Sequence, residues 1–419
     1  MKIINRKNFI YNRVNLLENE KVVNDVKLIC KRVKDEKDKA LFEYAKKFDN
    51  TGLNKDNIRV SEKEIKEAYK KVDKALLSSL RKAKQNILSY HKKYVLKDKF
   101  DGTQNRGFVV RSVERAAIYV PGGTAAYPST VLMGVCAAKA AGVKDIAVVT
   151  PYKNNAINPL TIVAAKECGA SEILKIGGAH AIAALAYGTA SVKKADVIAG
   201  PGNIYVTLAK KEVYGSAGID MLAGPSEILI IADDSANPAF LAADLLSQAE
   251  HDVLASAILF TDNKTIAEKT LDELTKQAAK LSRKNIISES LKNNCYIVLF
   301  DKLEQAFEKS NEIAPEHLQI CTKNAKENLK YVNNAGAVFL GNYSPEPVGD
   351  YFAGPNHILP TNGNAKFSQA LSADFFVKKI NVINYGEADF NAAAEHVVRL
   401  AECEGLDAHA NSIKVRGEK

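Results

Sequence analysis

Apolar positions along this chain repeat with two different periods, and the change between them divides it. From Val22 to Phe48 the apolar residues Val26, Leu28, Ile29, Val33, Leu41, Phe42 and Ala45 recur at helical spacing among Lys, Asp and Glu. Ser61, with Glu64 three residues later, opens the next helix as a capping box. That helical run reaches Tyr90 and His91. Residues 1 to about 100 thus read as helices with no sheet of their own. His91, between Tyr90 and Lys92-Lys93, reads as a surface residue.

Near Gly107 the texture changes. Short apolar runs at 116–120, 146–150, 173–176 and 197–199 are followed by Gly, Pro or polar turns, and helical stretches begin at Thr130, Leu160, Ala181 and Ile204. A second series follows Gly224-Pro225-Ser226, with strands at 227–232, 257–261, 296–300, 318–321 and 336–340. Its first helix is opened by Asn237-Pro238, with proline in the first turn. Apolar strands alternating with helices predict βαβ units on mostly parallel sheets, an α/β fold in two domains. The helical N-terminal region is expected to pack on the second series. Past Ala370 the pattern breaks into short helices. The tail from Glu404 to Arg416 is too small to bury a core and must lean on its own subunit or a partner.

A length of 419 residues fits two main domains with smaller appendages. The composition, 46% hydrophobic and 26% charged, is that of an ordinary globular protein, and no run of about 18 apolar residues predicts a membrane span. The N-terminus lacks a signal-type apolar core. The six cysteines are scattered without a CxxC, which predicts free thiols in a reducing cytoplasm. The net charge of +9 comes largely from lysine-rich helices. No stacking aromatics or reading helix accompany it, so no nucleic-acid partner is expected.

Gln248 and His251 end the helix that Pro238 opens, and a spacing of three puts both on one helical face. Each offers a lone pair. Asp350 from a loop and His409 from the tail would complete a set suited to zinc or manganese but not to an iron–sulfur cluster. These pieces are far apart and HExxH is absent, so a helix-terminal histidine favoured by the dipole stays open as the alternative for His251. Glu316-His317, after Pro315, could supply acid–base chemistry near neutrality, or could be an exposed turn. His357 lies in Gly354-Pro355-Asn356-His357, and His396 reads as an ordinary helix residue. There is no GxGxxG after any strand. Tyr119-Val120-Pro121-Gly122-Gly123 and Gly200-Pro201-Gly202-Asn203 could admit a phosphate to a helix N-terminus or be plain tight turns.

At these residues the chain resembles the histidinol dehydrogenase family. The matching stretches are YVPGG at 119–123, IGGAHAIAALAYGT at 176–189, AGPGN at 199–203, DMLAGPSE at 220–227, DLLSQAEHD at 244–252, APEHL at 314–318, GDYFAGPNHILPT at 349–361 and EGLDAH at 404–409. The resemblance implies a cytoplasmic homodimer that catalyses the last two steps of histidine biosynthesis. It would oxidise L-histidinol through L-histidinaldehyde to L-histidine, with one zinc ion per subunit and two NAD+ in succession. The implied zinc ligands are Gln248, His251 and Asp350, with His409 from the other subunit. His317 would be the general base in both oxidations, and Glu316 would activate the water that hydrates the aldehyde. Ser226, His357 and Glu404 would hold substrate together with His317 and the metal ligands. Tyr119 and Asn203 would meet NAD+. His180 stands where the family has glutamine in GGAQA, at a cofactor contact, so NAD+ binding is expected to be weaker or more pH-dependent. The implied fold is two Rossmann-like βα domains with a small C-terminal tail exchanged in the dimer. Residues 1–118 and 226–370 would form one domain bearing most of the zinc site, 119–225 the NAD-contacting domain, 371–395 a small helical segment, and 396–419 the tail. A zinc-dependent hydrolase using Glu316 to activate water is the first competing reading, and a non-catalytic binding module for small imidazole ligands is the second.

Overall fold

The computed structural model describes residues 1–13, 18–122, 127–153 and 155–417, so Gly123 of the first glycine turn lies outside the described residues. The chain divides into two compact units, Met1–Tyr94 with Val113–Phe376 and Val95–Ser112 with Val377–Lys419. No helix among the described residues is long and apolar enough to cross a membrane.

The first unit holds two parallel sheets. The larger has six strands in the order Lys2–Asn5, Tyr296–Leu299, Ser256–Thr261, Glu227–Ala232, His317–Cys321 and Ala337–Leu340. Glu227–Ala232, Ser256–Thr261 and His317–Cys321 are buried at every position, as a sheet covered on both faces requires. After Tyr296–Leu299 the helix Leu303–Ile313 carries the chain back across Glu227–Ala232, so the winding reverses beside that strand. All strands run the same way, so Ser226, Glu316 and Gly336 gather at one amino edge. Helix Pro238–Ala249 runs back between two parallel strands and delivers its last turn to that same edge.

The smaller sheet has five parallel strands in the order Glu172–Leu174, Asp145–Val149, Arg115–Tyr119, Val197–Ala199 and Gly218–Ile219. Its helices Pro128–Ala140 and Gly178–Tyr187 are apolar around nearly their whole circumference and need a further layer outside them. The N-terminal helices provide it. Val26, Ile29 and Val33 of Glu20–Glu36 pack with Ile182 and Leu185, while Leu80 and Ile87 of Lys74–Tyr94 pack with Val131 and Val135.

This corrects the expectation that the helical region covers the second series. Two further expectations change with it. Lys2–Asn5 is an edge strand of the larger sheet, too short to stand out in the sequence. His91 is 2% exposed, with its Nε2 3.4 Å from the amide of Asn356, and burial lowers its pKa to about 4. The predicted capping box of Ser61 and Glu64 is present.

In the second unit Arg106–Ser112 pairs antiparallel with Val377–Ile383, and helices Glu387–Cys403 and Asp407–Gly417 pack on each other. The segment expected to be short helices thus contains a seven-residue strand. Its partner lies far back in the sequence, so no local signal announces the pairing. Five cysteines are buried, all six are free, and Cys403 is exposed.

Arg115, 4% exposed, opens the central strand of the smaller sheet and bonds both Asp145 and Glu172. Those carboxylates also have Lys193 and Arg59, each at 2.7 Å. Replacing Arg115 with methionine should therefore cost about 3 kcal/mol, the lower part of the range for breaking a buried ion pair, in urea unfolding. A loss below about 1 kcal/mol would mean that Lys193 and Arg59 compensate fully.

Candidate active site at the amino edge of the larger sheet

The approach to His317 is shaped by its backbone. Helix Leu303–Ile313 ends at Ala314, which takes a left-handed conformation with φ of 52°, and Pro315 follows. Glu316 then enters the sheet edge and His317 is the first residue of its strand, not part of an exposed turn. Gly336 on the neighbouring strand entry must be glycine, because a Cβ there would stand 2.5 Å from the Glu316 carbonyl.

Both side chains are buried, Glu316 at 6% and His317 at 3% exposure, with Glu316 Oε2 3.6 Å from His317 Nδ1. The N–H of Glu227 donates to Glu316 Oε2 at 2.9 Å, and His317 Nδ1 donates to the Glu227 carbonyl at 3.0 Å. That bond fixes the proton on Nδ1 and turns Nε2 toward Asp350 Oδ1 at 3.8 Å and Glu346 Oε1 at 4.0 Å. Among the described residues Nε2 has no hydrogen-bond partner.

The charges in this cluster decide one another's protonation. Burial raises the Glu316 pKa to about 7, against the pull of His317. Burial alone would lower His317, but Glu316, Asp350 and Glu346 outweigh it and raise it to about 10. Glu346 is pushed up to about 8 by burial and by Asp350, whereas Asp350 falls to about 2 because His317 and His357 overcome its burial. Ser247 donates to Glu346 Oε2 at 3.2 Å. Asp350 sits in the π turn Gly349–Ala353, where a Cβ on Gly349 would meet the ring of Phe339 at 2.6 Å.

His317, Glu346 and Asp350 offer donor atoms all within 4.8 Å of one another, a group that could hold a metal ion. Two further donors stand at the same edge. Gln248 is fully buried and among the described residues neither its amide oxygen nor its nitrogen has a partner, an arrangement that costs about 1–3 kcal/mol per group unless a ligand satisfies it. His251 lies beyond the helix, which ends at Ala249, and its N–H donates to the Gln248 carbonyl at 3.2 Å. The pairing of these two thus comes from a tight turn and not from one helical face. Burial lowers the His251 pKa, opposed by Asp350 and assisted by His317, which keeps the imidazole neutral as a ligand must be. An orphaned amide, a neutral imidazole and an ionised carboxylate fit a borderline divalent cation such as zinc.

The other expected residues are distributed as follows. Ser226 precedes Glu227 at the sheet edge, its carbonyl accepting from the Ser256 N–H at 3.0 Å. His357 Nδ1 donates to the Asp350 carbonyl at 3.0 Å and Nε2 shares a hydrogen bond of 3.2 Å with the Thr130 hydroxyl, while burial lowers the ring's pKa. Glu404 and His409 are exposed residues of the second unit. Tyr119 and Asn203 lie at the opposite, carboxyl edge of the smaller sheet. The Tyr119 hydroxyl accepts from the Gly178 N–H at 3.0 Å. Asn203 caps helix Ile204–Val213, its Oδ1 accepting from Tyr205 and Val206. Glu346 and Ser247 escaped the sequence reading. The one local signal for Glu346 is a carboxylate between Pro345 and Pro347.

His180 is 1% exposed, within about 6 Å of the Tyr44 and Phe48 rings and 3.8 Å from Asp49 Oδ2. Burial lowers its pKa to about 4, well below the ordinary histidine value. The effect falls on stability. A histidine that titrates near 6.5 unfolded but near 4 folded supports the fold above pH 6.5 and loses that support as pH falls toward 4. Between pH 7 and 5 the wild type should lose about 2 kcal/mol more than His180→Gln in urea unfolding. Equal losses in the two proteins would assign the acid sensitivity elsewhere.

A family model for histidinol dehydrogenase matches residues 13–417. The chain is 52% identical over 404 residues to histidinol dehydrogenase of Clostridium acetobutylicum, covering 95% of this chain and 93% of that protein. It is 50% identical over 419 residues to that of Carboxydothermus hydrogenoformans, covering 99% and 98%. The crystal structure of histidinol dehydrogenase from Elizabethkingia anophelis superimposes with a TM-score of 0.93 at 39% identity, covering 99% of this chain and 97% of that one. Sequence and fold agree over almost the whole length, and the chain belongs to the histidinol dehydrogenase family.

Proposed function

We propose that the chain oxidises L-histidinol through L-histidinaldehyde to L-histidine, with two NAD+ used in succession. The observation that carries this reading is the buried pair Glu316 and His317 facing Asp350, beside the unpartnered amide of Gln248. A proton acceptor, a second carboxyl able to handle water, and unsatisfied donors for a cation are what two oxidations separated by a hydration require.

Zinc would be held by Gln248, His251 and Asp350, with His409 from the other subunit. When bound it would supply a fixed point for the substrate's nitrogens, and its positive charge beside His317 would favour the neutral form of that base. NAD+ would supply the hydride acceptor, with Tyr119, His180 and Asn203 as its contacts. His317 takes the hydroxyl proton at Nε2 as hydride leaves the carbinol carbon. Its Nδ1–H stays on the Glu227 carbonyl, so the ring does not rotate between steps. Glu316, held near neutrality by burial, takes a proton from the water that adds to the aldehyde. His317 then accepts a hydroxyl proton of the hydrate in the second oxidation. Ser226 and His357, with Glu404 from the exchanged tail, would orient the substrate. His317 Nε2 could also ligate the cation, since it faces Asp350 and Glu346. The base role is favoured because Gln248 and His251 already supply donors that nothing else satisfies.

The homodimer accounts for the second unit. Its Ile383 is 79% exposed and Leu400 67%, a surface that suits burial against another copy.

NADH formation from L-histidinol and NAD+ should be abolished by chelation and restored by zinc, followed by absorbance. No NADH with zinc restored would sink the reading. Glu316→Gln should impair oxidation of the aldehyde by roughly 10²-fold while sparing oxidation of the alcohol, whereas His317→Ala should impair both. Equal damage by Glu316→Gln to both half-reactions would refute the division of labour. Mixing inactive His251→Ala and His409→Ala subunits should regain activity, because one heterodimer site receives both intact residues. Persistent inactivity in confirmed heterodimers would place His409 in its own subunit's site.

A further inference from the structure

Glu227 carries both acid–base candidates on the polar groups of its own backbone. Its N–H donates to Glu316 at 2.9 Å and its carbonyl accepts from His317 at 3.0 Å. A shift of this one residue therefore moves both side chains. The Glu227 side chain, 5% exposed, is gripped in turn by Arg13, whose Nε and Nη2 donate to the two carboxylate oxygens at 2.7 and 2.8 Å. This two-pronged geometry fixes direction as well as distance. The same Nη2 donates to the Ile313 carbonyl at 2.7 Å, at the end of the helix that leads into Glu316. Arg13 thus ties together the two separate segments that carry the site.

The guanidinium is itself held. It lies 4.9 Å from the centroid of the Tyr11 ring, and the Tyr11 hydroxyl shares a 2.9 Å hydrogen bond with Ser256. Gly363, at φ +78°, leaves room for it, since a Cβ there would stand 2.7 Å from Nη1. A cavity of about 190 Å³ adjoins the pair and is lined in part by Tyr11, Arg13, Glu227 and Ser256.

We propose that Arg13 is a positioning residue for the acid–base pair, acting through the Glu227 peptide, an inference that rests on the dehydrogenase reading above. Among the described residues Arg13 forms its hydrogen bonds with the Glu227 carboxylate and the Ile313 carbonyl, so it acts on Glu316 and His317 through those groups. Its removal leaves the Glu227 carboxylate without its partner and frees the strand entry to move. Reaction rate is far more sensitive to such sub-ångström displacement than substrate affinity is.

The test uses the zinc-loaded full-length enzyme. Arg13→Ala should lower kcat by about 10²-fold with KM for L-histidinol within about threefold of wild type. Methylguanidinium, diffusing in through the adjoining cavity, should restore part of kcat, while N-methylurea, without the charge, should not. Arg13→Lys keeps the charge but loses the fork, so it should fall between wild type and Arg13→Ala, and it serves as the test if the alanine variant fails to fold. A kcat within about twofold of wild type for the variant that folds overturns the proposal. So does a loss that methylguanidinium does not relieve in Arg13→Ala, since that marks a role in stability alone. Wild-type enzyme forming no NADH overturns this proposal and the dehydrogenase reading together. An active wild type beside an equally active variant overturns this proposal alone.

Discussion

Three carboxyl groups and an imidazole, all buried but for the partly exposed Asp350, lie within a few ångströms of one another at the amino edge of the larger sheet. Such a cluster is tolerated only where each charge has a compensator. Glu316 leans on a backbone N–H and Glu346 on Ser247. The carboxylates around His317 favour its protonated form and so offset the cost of burying it. Strand positions, the π turn and the glycines at 336 and 349 all serve to hold these groups in register. What stays unsatisfied is as informative as what is paired. Among the described residues the Gln248 amide and His317 Nε2 are buried side-chain atoms of this edge without partners, a deficit that suits a cation and a substrate.

The polar groups of the two sheets gather at opposite ends of their strands. In the larger one the polar groups stand where strands begin, against the usual preference of open α/β sheets for carboxyl ends. The reason is topological. The helix bearing Gln248 returns to the amino edge, and the winding reverses between Glu227–Ala232 and His317–Cys321. In the smaller sheet the glycine turn after Val197–Ala199 lies at the carboxyl edge. There the buried Lys210 donates to the Gly200 carbonyl at 3.0 Å and pairs with Asp220, which accepts from the Gly200 N–H at 2.7 Å. Both backbone polar groups of one glycine residue are thus held by a single ion pair. With φ of 116° and the Tyr119 carbonyl 2.1 Å from where a Cβ would be, that position admits glycine alone.

Legibility in the sequence followed the range of the interaction involved. Short apolar runs declared the central strands, and Asn237-Pro238 and Ser61 with Glu64 declared helix starts, because those signals act within a few residues. The partnership of the N-terminal helices was not legible, since an amphipathic stripe says that it will be buried but not against what. Strand Val377–Ile383 stayed hidden because a two-stranded antiparallel pair is stabilised by its distant partner Arg106–Ser112. His91 was misplaced for the same reason: its charged neighbours face water while its own ring turns inward to Asn356.

By itself the sequence determined the α/β class, the order of most elements and, through its matching stretches, the family and the residues worth watching. Composition and periodicity suffice for the first two because secondary structure answers to local spacing. Only the tertiary structure decided that Glu316 and His317 share one buried peptide partner, that Glu346 joins them, and that Arg13 anchors that partner from another part of the chain. Protonation was decided there too. The pKa of a buried group depends on which charges surround it and how far water is excluded, and neither quantity is written in the neighbours along the chain.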